Sequence, residues 1–271
     1  MISPRQIARK RFPLLLNAFH NYRQAREIRR LKAGETPHGF RFIGNDRMAS
    51  GTFEPDETAA IAGFSSPGRV YVDVGANYGY YVCLARARGA DVVAIEPLSD
   101  NLSLLYANLE TNGWNDVEVF PLGVSSAPRV ATLYGGGTAA SLLPNWAGTS
   151  ETFRRSIALS TLDIVLGGPR FAGREMLVKI DVEGVEYDVL LGASETLSRT
   201  PRPKWVLEIC LTELHPSGRN PHFLETFELF WNHGYEAKSI SAGNRVVTRD
   251  EVQRWVRTGQ RDYGFVAYLF E

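Results

Sequence analysis

Val70-Tyr71-Val72-Asp73-Val74-Gly75-Ala76-Asn77-Tyr78-Gly79 is an apolar run that breaks into a glycine turn and then enters a helical pattern. A parallel strand buried on both faces needs such a near-continuous apolar stretch, and glycines at its carboxyl end let the backbone turn tightly and approach a ligand without Cβ obstruction. Asp73 is the exception within the run. An acid near the strand end is costly unless it meets donors. A dinucleotide fingerprint would need G-x-G-x-x-G, and this loop offers only Gly75-Ala76-Asn77-Tyr78-Gly79, so the glycine that admits a pyrophosphate is absent.

A second acid follows at a suitable distance. Asp91-Val92-Val93-Ala94-Ile95 reads as the next strand and ends in Glu96-Pro97, where Glu96 is placed to hold ribose hydroxyls. Two acids around a glycine turn that refuses a pyrophosphate fit S-adenosylmethionine (SAM), whose amino acid moiety carries an ammonium for Asp73. The competing reading makes Asp73 and Glu96 loop-end acids that cap helices; their place in the crevice of an open sheet favours ligand binding.

The pattern continues as strands alternating with crossover helices: strand 70–74, helix 78–88, strand 91–95, helix 99–112 and strand 117–120. Upstream, 40–43 reads as a short strand and a helix runs to about Phe64, capping the sheet. Residues 129–134 read as a further strand or edge hairpin, followed by a glycine-rich loop, 135–141, that is mobile by composition. Ser160 or Thr161 is expected to cap a helix. Strand 176–181, helix 184–197, strand 204–211, helix 221–233, strand 235–241 and strand 263–270 complete the chain, the last two strands forming an antiparallel pair.

Three blocks resemble the FkbM-type methyltransferases: Val72-Asp73-Val74-Gly75-Ala76-Asn77-Tyr78-Gly79-Tyr80-Tyr81, then Ala94-Ile95-Glu96-Pro97 with Asn101 and Asn108, and Leu177-Val178-Lys179-Ile180-Asp181-Val182-Glu183-Gly184-Val185-Glu186. The last is the most specific. The likeness runs from about Glu54 to about Tyr235. It implies an α/β, Rossmann-like doubly wound sheet of the class I methyltransferase type, mostly parallel with an antiparallel closing strand. It also implies SAM-dependent O-methylation of a hydroxyl on a saccharide, glycolipid or secondary metabolite. N-methylation of an amino sugar is the rival within enzymes, and a SAM-binding or partner-binding protein without catalysis is the rival outside them.

Methyl transfer to a hydroxyl is an in-line displacement, for which positioning alone can supply roughly 7 to 11 kcal/mol of the barrier. A hydroxyl is a weak nucleophile, so a base is also expected. Asp181, Glu183 and Glu208 fall at the carboxyl ends of two strands and are the candidate catalytic acids; His215 lies on the same rim. Helix-dipole complementation by Glu183 and Glu186 is the plainer alternative. Asp73, Gly75, Asn77, Gly79, Glu96 and Asp181 are candidate cofactor contacts, with Ser141 added because it matches a recurring serine of the family. Lys179, buried by position, is expected to pair with Asp181, Glu208 or Asp163. Three converging acids would also suit Mg²⁺, and Leu122-Gly123-Val124-Ser125 lies where related folds cover an adenine.

At 271 residues the chain suits one α/β domain with some appended structure. Its formal net charge is zero, which points away from nucleic acid as a partner; a small-molecule or glycan acceptor is what the family resemblance implies. The balance is uneven, because residues 1–32 carry nine basic side chains and one acid. This divides the chain into a basic arm, 1–45, and a methyltransferase domain, 46–271. The arm fits an anionic membrane surface, the acidic body of its own subunit or that of a neighbour in a homo-oligomer. Cys83 and Cys210 lack metal-ligand spacing. No apolar run reaches the roughly 18 residues of a membrane span, so a reducing cytoplasm is the expected compartment.

Overall fold

The computed structural model describes residues 32–149, 151–264 and 267–271. A short hairpin, β1 (Gly34–Glu35) and β2 (Arg41–Phe42), precedes α1 (Asp46–Ala49) and α2 (Pro55–Phe64). The alternating part follows as β3 (Val70–Val74), α3 (Tyr80–Ala87), β4 (Asp91–Ile95), α4 (Ser99–Thr111) and β5 (Glu118–Phe120). Next come β6 (Gly123–Val124), β7 (Arg129–Tyr134), β8 (Arg154–Ser160) and α5 (Leu162–Val165). The chain continues through β9 (Met176–Ile180), α6 (Glu186–Leu191), α7 (Ser194–Leu197), β10 (Lys204–Glu208) and α8 (Phe223–Asn232). It closes with β11 (Ala237–Ser239), β12 (Arg245–Val246), α9 (Arg249–Thr258) and β13 (Ala267–Phe270).

The main sheet has the order β12-β11-β13-β10-β9-β3-β4-β5. Strands β10, β9, β3, β4 and β5 pair in parallel, and β13 lies antiparallel between β10 and β11. This is the doubly wound, mostly parallel sheet with an antiparallel closing strand that the sequence implies. The chain leaves β3 towards β5 and then returns to β9 on the other side. The switch point, where such sheets bind ligands, therefore lies at the carboxyl ends of β3 and β9.

Side chains alternate across the sheet with period two. Val70, Val72 and Val74 pack with Val178, Ile180 and Leu207 on the α6–α8 side, while Tyr71 faces Leu177, Val206 and α3 on the other. Burying each such aliphatic side chain contributes roughly 1.5 to 3 kcal/mol. Asp73 and Lys179 are direct register partners on β3 and β9, on Tyr71's face.

Several elements differ from their sequence readings. The helix expected over 184–197 is broken into α6 and α7 at Gly192, where a Cβ would sit 2.2 Å from the Ser125 carbonyl oxygen. Asp163 accepts the N–H groups of Glu195 (3.0 Å) and Thr196 (2.8 Å) at the start of α7, which removes it as a partner of Lys179. Residues 129–134 join a separate three-stranded sheet, β6-β8-β7. Of the two cap candidates, Thr161 is the N-cap of α5, as expected. Helix α9 was not expected, although its Thr248 and Glu251 form a capping box. Strand 204–211 ends early, at Glu208.

Of the basic arm, residues 1–31 lie outside the described residues. Phe40 and Phe42 are buried against Tyr80 with edge-on ring contacts. Asn108 fixes this stretch: its Oδ1 accepts from Ile43 N (2.6 Å), and its Nδ2 donates to the carbonyls of Ile43 (3.1 Å) and Tyr78 (2.9 Å). Among the described residues no helix is long and apolar enough to cross a membrane.

Candidate functional site

The glycine turn after β3 is built by necessity from glycine. Gly75 has φ +87°, and a Cβ there would lie 1.9 Å from the carbonyl oxygen of Asp181, so the turn nests against the strand end of β9. Gly75 N and Ala76 N both donate to the Ile95 carbonyl, which ties the turn to β4. Asn77 follows with φ 51° and Gly79 with φ +82°, and helix α3 begins.

A cleft of about 640 Å³, its mouth included, opens at the switch point. Gly75, Asn77, Glu96, Asn101, Asp181 and Glu183 contribute its polar wall; Val74, Ile95, Val124, Leu133, Ile157 and Val185 are among its apolar residues. Glu96 is buried and accepts Asn77 N–H on one carboxylate oxygen and Leu98 N–H on the other, both at 2.8 Å. Each oxygen keeps a further lone pair for a ligand hydroxyl. Burial raises the Glu96 carboxyl to about 7, against these two N–H groups. Asn77 Oδ1 and Asn101 Oδ1 are buried without a partner, two acceptors left for donors on a ligand. The residues present thus fit SAM: Glu96 would take the ribose hydroxyls, and Gly123 and Val124 lie on the cleft wall.

Two expected cofactor contacts are placed elsewhere. Asp73 does not line the cleft; it sits one residue before the end of β3, 2% exposed, on the face of Lys179. Burial pushes its carboxyl to about 7, with the Lys179 ammonium opposing. Ser141 is buried, donates to the Glu183 carbonyl (2.6 Å) and accepts from Leu143 N (3.0 Å), so its hydroxyl is engaged within the protein. The glycine-rich loop is closed by a backbone pair between Tyr134 and Ser141, and Asn101 Nδ2 donates to its Gly137 carbonyl.

Asp181 and Glu208 meet at Lys179, while Asp181 and Glu183, not Glu208, line the cleft. Lys179, 2% exposed, donates to Asp181 Oδ2 at 2.8 Å and stands 4.0 Å from Glu208 Oε1, with its ammonium 5.1 Å from the centre of the Tyr81 ring. Burial works against the ammonium, but Asp181, Glu208, Asp73 and Glu54 outweigh it and hold its pKa above the usual lysine value. The Asp181 charge, followed by burial, pushes the Glu208 carboxyl well up. Glu183 lines the cleft with φ 58°, a left-handed conformation rare outside glycine. Burial and then Asp181 raise its carboxyl to about 7, while the Trp146 indole N–H, 2.5 Å from Oε2, holds it down. The dipole-complementing alternative falls instead to Glu186, which accepts Gly184 N at 2.8 Å beside α6.

His215 packs edge-on against Trp146 and pairs its Nδ1 with Ser217 Oγ at 2.7 Å; it does not line the cleft. Burial lowers its pKa. Among the described residues no group of three or more His, Cys, Asp or Glu could hold a metal ion, so the expected Mg²⁺ finds no ligand set.

Two residues escaped the sequence reading. Trp146 lies in a loop without periodicity, and nothing in the local pattern marks it. Glu54, directly before the α2 proline, has φ 38° and accepts from Tyr81 Oη at 2.7 Å, adding another carboxylate beside Lys179.

The region 73–237 matches the model of the methyltransferase FkbM domain. A segment is 32% identical over 166 residues to the AMB antimetabolite synthetase AmbE of Pseudomonas aeruginosa, covering 48% of this chain and 8% of that protein. The precorrin-6y C5,15-methyltransferase of Geobacter metallireducens is similar at a TM-score of 0.42 and 10% identity, over 84% of this chain and 92% of that one. A SAM-dependent methyltransferase of Aquifex aeolicus gives 0.36 and 14%, over 69% and 82%. Since the domain match takes in more than half of the sequence, including the glycine turn and the acids that follow β9, the chain belongs to the FkbM methyltransferase family.

Proposed function

We propose that the enzyme methylates a hydroxyl of a saccharide, glycolipid or secondary metabolite, with Glu183 as general base. The observation that carries this reading is that Glu183 lines the same cleft as Gly75 and Glu96 with a carboxyl raised to about 7, the range in which a base works best near neutral pH. None of the residues described as lining the cleft is Lys, Arg or His, so an acceptor's phosphate or carboxylate would find no cation, while hydroxyl donors find Asp181 and Glu183.

Bound SAM supplies the electrophilic methyl group. Glu183 takes the hydroxyl proton on Oε1, the oxygen not bonded to Trp146. Asp181, held by Lys179, orients the acceptor, and Glu208, its carboxyl pushed well up by the Asp181 charge, stands beside the same ammonium. The acceptor is a small molecule or glycan. The basic arm, on its nine basic residues against one acid, suits contact with an anionic surface or a second subunit, and a reducing cytoplasm suits the free Cys83 and Cys210. Mg²⁺ has no place in this reading.

The test follows methyl-labelled SAM into a panel of neutral sugars, amino sugars and polyols. Label on hydroxyl oxygen, lost with Glu183→Gln, is the expected result. Label on nitrogen alone would replace this reading by N-methylation of an amino sugar, whose ammonium the same acids would attract.

A further inference from the structure

Glu183 is gripped at two points by the loop between β7 and β8. Ser141 Oγ donates to its carbonyl at 2.6 Å, and Trp146 Nε1 donates to its Oε2 at 2.5 Å. The indole then lies on the next residue, because a Cβ at Gly184 would come 2.3 Å from ring carbon Cζ3. Trp146 is 1% exposed, meets the His215 ring at 5.9 Å between centroids, and is followed by Ala147, whose N–H donates to Leu214 O at 2.9 Å. Glu183, Asn145, Ala147 and Leu214 all have positive φ, conformations that persist only where surrounding structure imposes them. Gly137, Thr138, Ala140 and Leu142 of the same loop line the cleft.

We propose that Trp146 is a positioning residue for methyl transfer, its indole N–H fixing Glu183 Oε2 so that Oε1 alone receives the acceptor proton, and that the loop covering the cleft thereby assembles the base. This rests on the reading of Glu183 as base. A hydrogen bond from a donor to a carboxylate favours the charged form. The other groups around Glu183 are Asp181 and Glu186 along its own segment, Lys179 on β9, and His215 behind the indole. Only Trp146 donates directly to the carboxylate among the described hydrogen bonds.

The experiment titrates protein labelled with ¹³C at glutamate carboxyls, identifying the Glu183 resonance by its loss in Glu183→Gln. Trp146→Phe should move the Glu183 midpoint to higher pH and lower turnover roughly 10- to 100-fold with SAM affinity little changed. Trp146→His shrinks the ring as well but keeps an N–H, and should recover part of both effects; thermal unfolding checks that the pair is equally folded. An unmoved midpoint in Trp146→Phe, or identical midpoints and turnover in the Phe and His variants, overturns the proposal. Full turnover in Glu183→Gln would instead remove the base assignment, whatever the midpoint does.

Discussion

Lys179 donates to Asp181 at 2.8 Å from the same strand end, and that one contact joins a fully buried ammonium to an acid on the wall of the cofactor cleft. Glu208, Asp73 and Glu54 share the same cation. Removing it leaves several carboxylates facing one another without compensation, whereas a surface ion pair would contribute little. Lys179→Met should therefore cost about 3 to 5 kcal/mol in urea unfolding near neutral pH, and less at pH 5, where the acids can take up protons. A loss below about 1 kcal/mol would mean that the acids are already neutral and the ammonium is not their organiser.

Glu183 and Glu208 should separate on mutation. Glu183→Gln is expected to lower turnover by about 10²- to 10⁴-fold and to remove the acid limb of the rate profile. Glu208 does not line the cleft and stands 4.0 Å from the Lys179 ammonium, so Glu208→Gln keeps the shape and should cost less than about 10-fold. Equal, large losses in the two variants, measured by steady-state kinetics across pH, would show that both carboxylates work ionised.

Glu96→Ala should weaken SAM binding by roughly 10- to 150-fold in calorimetry, the range for hydrogen bonds to a charged group. Asp73→Asn, which alters a residue outside the cleft, should change SAM affinity far less. The reverse order of effects would restore Asp73 as the principal anchor.

Stability should fall as pH rises. Asp73, Glu96, Glu183 and Glu186 are each raised to about 7, so the folded protein still holds protons where the unfolded chain has released them. That contribution is complete below the ordinary glutamate value near 4.5 and is lost as pH passes through about 7. Scanning calorimetry of the ligand-free protein should give a higher Tm at pH 5.5 than at pH 8. A Tm that climbs over this interval would contradict the raised carboxyls.

Gly75→Ala should abolish the turn, since its Cβ would lie 1.9 Å from backbone and φ is +87°, whereas Gly113→Ala, with φ +70° and open space, meets only conformational strain. The first should cost about 3 kcal/mol or more and the second about 1 kcal/mol. Similar unfolding midpoints for the two would show that the strand end of β9 yields.

The sheet was legible because buried parallel strands must be apolar and their turns must carry glycine. Val70–Val74 and Met176–Ile180 satisfy both demands with residues adjacent in sequence. The position of Glu96 directly after β4, on the cleft wall, was legible for the same reason. Asp73 was read as a ligand contact because it lies near a strand end, but its register partner across the sheet is Lys179, and that pairing depends on a strand about 100 residues downstream. Trp146 and Ser141 could not be placed, since their roles depend on contacts 37 and 42 residues away along the chain. The break at Gly192 and the capping box of α9 were local signals, available in the sequence and passed over.

Asn108 has a consequence for how this enzyme can be shortened. One buried amide holds the Ile43 backbone and the Tyr78 carbonyl together, so the stretch after the leading hairpin and the glycine turn are fastened through a single side chain. A form beginning after Ile43 would retain the whole region matched by the family and still loosen the glycine turn after β3. An expression boundary placed before Gly34 keeps that fastening intact.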